Sequence, residues 1–86
     1  MEKCRRDVDG YRTGGLITKS SAAAGHTDLV VDERRWDALD TDAKKAVALA
    51  FYCVEADAAG RYRVEVIGSR HDEPKGNLTN GNWAAR

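Results

Sequence analysis

The longest regular pattern in the chain is an apolar, helix-period stretch from Asp42 to Ala59, free of Gly and Pro and dominated by Ala, the best helix former. At about 100° per residue, Lys44, Lys45, Ala48, Tyr52, Glu55 and Ala59 fall on one arc. Apolar residues centred on Ala43, Ala50 and Val54 cover most of the remaining circle, and Asp57 is the one charge among them. So wide an apolar face predicts a helix over 41–59, buried against more than one surface. Gly60 is its expected C′ stop. Lys44 and Lys45 near the start, and Glu55 and Asp57 near the end, oppose the helix dipole, so tertiary packing has to hold this helix in place.

Upstream, Asp32 is a good N-cap for a short helix over Glu33–Leu39, in which Trp36 and Leu39 share a face. Asp40-Thr41-Asp42 then interrupts the helical pattern, giving two helices with a turn between them, or one continuous helix as the alternative. Period-two alternation marks the best strand, Arg61–Ile67: Tyr62, Val64 and Val66 face one way, Arg63 and Glu65 the other, and Gly68 ends it. Leu16–Lys19 and His26–Val31 read as a hairpin from about 15 to 31, with Ser20–Gly25 as a long connection. His71–Gly76 is a polar loop containing the only proline. Leu78-Thr79 is a candidate last strand, Asn80-Gly81 a type I′ turn pair, and Trp83 a lid over the core. Residues 1–14 read as a flexible basic arm with turn formers at Asp9-Gly10 and Gly14-Gly15.

These elements predict an α+β fold. A small antiparallel or mixed sheet of three or four strands, in the order β-β-α-α-β-(β), packs on one long amphipathic helix. With 86 residues, the organisation expected is the arm over 1–14 and one domain over 15–86. A chain of this size leaves little room for a deep enclosed active site. No apolar run approaches the length of a bilayer span, so no membrane association is expected, and no secretory leader is visible. A leader removed earlier would leave Cys4 open to lipid anchoring, but Met1-Glu2-Lys3 is not such a leader.

Charge refines the functional reading. Fourteen basic and fourteen acidic residues cancel, which argues against a nucleic-acid binder relying on phosphate neutralisation. Locally the balance is uneven. Asp28, Asp32, Glu33, Asp37, Asp40 and Asp42 stand against Arg34 and Arg35, while Lys3, Arg5, Arg6, Arg12 and Lys19 give the first twenty residues a basic lean. Helix-capping acids on a solvated surface explain the acidic segment without function. Read functionally, it is an acidic face for a basic protein partner.

Candidate chemistry is sparse. Cys4 and Cys53 permit one bridge between arm and helix, but two free thiols in a reducing, cytoplasmic compartment are the expected state. Cys53 then sits on the buried arc as an inert small hydrophobe. His26 and His71, with Asp28 and Asp72-Glu73 nearby, are too few for a metal site, and no cofactor is expected. Asn77-Leu78-Thr79 matches a glycosylation sequon by chance. The expected function is a non-enzymatic protein-interaction module, with an inhibitor of a basic nucleic-acid-handling protein as its specific form. Its surface would comprise Asp32, Glu33, Trp36, Asp37, Asp40 and Asp42, with the strand face of Arg63 and Glu65. A nucleic-acid-binding accessory protein using the basic arm, a self-associating (homodimeric) structural protein, and a small enzyme using Cys53 or a histidine are the alternatives.

Overall fold

A computed structural model describes residues 2–56 and 61–85. In chain order the elements are α1 (Glu2–Thr13), β1 (Ile17–Ala23), β2 (His26–Val31), α2 (Glu33–Asp37), α3 (Thr41–Glu55), β3 (Arg63–Gly68), β4 (Pro74–Thr79) and β5 (Asn82–Ala85). The class is α+β, as expected, with a mixed five-stranded sheet and three helices among the described residues.

The strands lie in the order β1-β2-β3-β4-β5. All neighbours are antiparallel except β2 and β3, which run parallel from His26↔Arg63 to Val31↔Gly68. A parallel pair needs a long crossover, and α2 and α3 are carried in it. Thr27, Leu29, Val31, Val64, Val66 and Leu78 alternate onto the helix side and are fully buried there. His26, Asp28, Arg63 and Glu65 alternate onto the opposite side. Inside the core, the hydroxyls of Thr27 and Tyr62 share a hydrogen bond of 2.6 Å.

Both short-range caps are in place. Asp32 Oδ1 accepts from the Arg35 N–H, and Asp40 Oδ1 accepts from the Ala43 N–H, so two helices form rather than one. Asn80 and Gly81 both adopt positive φ in a two-residue turn, pairing Thr79 with Asn82. The Trp83 ring lies over Gly76, where a Cβ would come within 2.7 Å of the indole. It also meets Trp36 at 6.1 Å between ring centroids, as a lid on the core.

Several expectations need correction. Residues 2–13 of the basic arm form α1, which packs mainly on α3. Glu2 in the first turn and Arg12 in the last suit the helix dipole, and Val8 and Tyr11, three apart, give α1 an apolar edge. Asp9-Gly10 therefore lies inside a helix, whereas Gly14-Gly15 does turn the chain. Cys4 and Cys53 form a disulfide with Cα atoms 6.1 Å apart, within the range such a bridge requires. The free-thiol expectation fails because it took the residues around Cys4 as an undocked arm.

The hairpin has a two-residue turn, Ala24-Gly25, and Ser20–Ala23 belong to β1. The polar loop is shorter than expected, since β4 starts at Pro74, and a fifth strand follows the Asn80-Gly81 turn. Helix α3 stops at Glu55: Ala56 is extended, and the last turn has no basic residue to offset its dipole. The expected stop at Gly60, with Asp57, Ala58 and Ala59, lies outside the described residues. On α3 the buried face is Val47, Ala48, Ala50 and Phe51. Ala48, assigned to the polar arc, is buried, and Ala46 is exposed, because the sheet and α1 together choose the inner face.

Candidate functional site

The acidic segment separates into structural and solvent-facing groups. Asp32 and Asp40 spend one carboxylate oxygen each on capping α2 and α3. Glu33 turns inward: its side chain is only 9% exposed, and its Oε2 lies 3.3 Å from His71 Nδ1. Its Oε1 has no partner among the described residues. The carboxylate occupies the space left by Gly68, where a Cβ would stand 2.6 Å from Glu33 Cγ. Trp36 is 1% exposed, so it is a core residue and not an interface anchor. Helix α2 ends at Asp37, short of the expected Leu39, which packs part-buried against the same core, and the Lys44 ammonium lies 6.0 Å from the centre of the Trp36 ring.

Asp37, Asp40 and Asp42 are exposed around the turn from α2 into α3. They have company from a distant part of the sequence. Lys75 Nζ reaches Asp37 Oδ1 at 3.5 Å and Glu73 Oε2 at 3.8 Å, which ties the turn before β4 to α2. The Lys75 side chain is 16% exposed, whereas those of Asp37 and Glu73 are 58% and 64% exposed. The ammonium therefore lies beneath two outward carboxylates. Glu73 belongs to this surface, and sequence reasoning missed it. Nothing local indicated that Lys75 would bond to residue 37.

Arg63 and Glu65 do not join this group. They form an ion pair of 3.0 Å on the sheet face turned away from the helices. Beside them in register, His26 and Asp28 approach to 3.9 Å. The sheet thus separates the expected surface into two. The open face carries none of Trp36, Tyr62 and Trp83, which all pack with the core, so these rings offer no platform for stacking bases there.

The remaining candidates are drawn into the fold. Arg12 donates to Ser20 Oγ at 2.9 Å and lies 5.5 Å from the centre of the Phe51 ring. Tyr11 is part-buried between α1 and the core. Burial, with a smaller contribution from the Asp7 carboxylate, raises its phenol above the ordinary value of 10.0. With both cysteines bridged, Cys53 offers no thiolate for nucleophilic chemistry. No group of three or more metal-binding side chains occurs among the described residues, and no described helix is long and apolar enough to cross a membrane. No protein-family model matches the chain, and no curated protein or solved structure shows significant similarity to it.

Proposed function

We propose that this chain is a small non-enzymatic protein-interaction module that occupies a basic surface of another protein through Asp37, Asp40, Asp42 and Glu73. The observation that supports this reading is the placement of Lys75, which gathers carboxylates from α2 and from the turn before β4 on one exposed end. Carboxylates arranged in this way can stand where a nucleic-acid-handling partner expects phosphates, and the module then acts as an inhibitor by occupancy.

The test is binding of a fluorescent Lys/Arg-rich peptide, followed by anisotropy at rising salt. The reading expects salt-sensitive binding that disappears in the Asp37→Lys, Asp42→Lys double variant. Asp40 is left intact because it caps α3. Unchanged binding by the double variant removes the proposal.

A second reading, self-association, draws on β1 as an edge strand whose outward stretch Ser21–Ala23 is small and uncharged. Sedimentation over a range of concentrations distinguishes a dimer from a monomer that binds the peptide. The cytoplasmic location was expected from free thiols. A reducing cytoplasm opens the bridge, so that location and the bridged form belong to different redox conditions.

A further inference from the structure

Helix α1 is poorly equipped to hold its own position. Seven of its twelve residues are charged and Gly10 lies inside it. A helix this short is marginal in isolation, and glycine lowers its propensity further. Its apolar grip is Val8, buried in the core, and Tyr11 at the edge. Its contacts are chiefly with α3 and secondarily with β1. Beside this docking, to which Arg12 adds its bond to Ser20 and its contact with Phe51, stands one covalent tie, Cys4–Cys53, spanning 49 residues of sequence.

That tie is within reach of solvent. Both cysteines are half-buried, and they line an open groove of about 510 Å³ together with Lys3, Asp7, Ala46 and Leu49. On the other flank of α1, Val8 lines a second groove with Phe51 and Val54. Between these grooves α1 packs on α3, where Val8, Ala50 and Phe51 are buried in one core cluster.

We propose that α1 is a disulfide-latched cover, and that reduction of Cys4–Cys53 releases it from α3 while the sheet and the remaining helices stay folded. The reductant is a dithiol. One of its thiolates attacks a sulfur of the bridge and forms a mixed disulfide, expelling the other cysteine as a thiolate that takes up a proton. The second thiol then resolves the mixed disulfide, so the dithiol leaves oxidised and Cys4 and Cys53 are both thiols, a two-electron exchange. Release uncovers the face of α3 on which α1 packs, a surface distinct from the acidic end. The inference does not depend on the function proposed above.

The experiment is limited trypsin digestion of the full chain, oxidised and after treatment with a dithiol, with fragments identified by mass. Reduction is expected to speed cleavage after Arg5, Arg6 and Arg12 by about tenfold or more, while sites in α3 and β3 stay protected. Equal rates at the three arginines in both forms overturn the proposal, because α1 then stays docked without its bridge. Simultaneous opening of all sites also overturns it, because the bridge then supports the whole fold and not a cover. The Cys4→Ser, Cys53→Ser double variant is expected to be cut at the reduced rate with or without dithiol, and cutting as slow as that of the oxidised chain counts against the latch.

Discussion

Replacing Lys75 with Met is the perturbation that most directly separates an acidic working surface from a set of capping acids. The methionine keeps the unbranched stem and removes the ammonium that lies 3.5 Å from Asp37 and 3.8 Å from Glu73. A partner cation pairing with either carboxylate from outside stands about 7 Å from that ammonium, and their repulsion in water is about 0.6 kcal/mol. Two such cations make it about 1.2 kcal/mol, so the variant is expected to bind a Lys/Arg-rich peptide about sevenfold more tightly at low salt. The gain shrinks as the Debye length falls below this separation.

Stability moves the other way. Two ion pairs whose carboxylates face solvent contribute about 0.2–1 kcal/mol each, so a loss of roughly 1 kcal/mol lowers the melting temperature by about 4–8 °C. Anisotropy titration at low and high salt, with thermal unfolding of the same samples, measures both effects. A folded variant that binds the peptide no better than the parent, or more weakly, refutes the reasoning.

Two further outcomes follow from buried or part-buried hydroxyls. Thr27→Val and Tyr62→Phe each leave the other hydroxyl without its 2.6 Å partner and are expected to cost about 1–3 kcal/mol in urea unfolding, whereas the double variant recovers most of that loss. Additive losses contradict a shared hydrogen bond. Tyr11 has a folded-state pKa raised above its unfolded value, so its contribution to stability is complete below pH 10.0 and is lost as pH rises through the folded pKa. Unfolding measured across alkaline pH is expected to show that loss, and Tyr11→Phe should flatten it; an unchanged slope in the variant assigns the effect elsewhere.

What the sequence revealed and what it hid divide along the range of the interactions. The caps Asp32 and Asp40, the alternation of Tyr62, Val64 and Val66, and the Asn80-Gly81 turn are local, and each leaves its mark within a few residues. Helix α1 was hidden because its stability is borrowed: Val8 and Tyr11 make a thin pattern until α3 packs against the helix and Cys53 bonds to Cys4. Ser20–Ala23 have weak strand propensity, and the ladder to β2 holds them extended. Ala48 faces inward because of what packs on α3, which helical periodicity over an Ala-rich stretch does not resolve.

The candidate surface was legible in part for the same reason. Asp37, Asp40 and Asp42 are close in sequence and close in space. Glu73 reaches them only through Lys75, and Trp36 leaves them because its indole fills the core next to Trp83. The alternation of β3 marks Arg63 and Glu65 as an outward strand face, and the sheet places that face on the side away from the acids, which no local pattern shows.

The most direct measurement of the central claim sets these two surfaces against each other. Peptide binding is compared among the parent chain, the Asp37→Lys, Asp42→Lys variant and Glu65→Lys, each checked for folding by thermal melting. The acidic-end account predicts that the first variant loses binding while Glu65→Lys stays within about twofold of the parent, because solvent screening separates the two faces. Loss of binding in Glu65→Lys with retention in the Asp37→Lys, Asp42→Lys variant contradicts it and moves the working surface to the open face of the sheet.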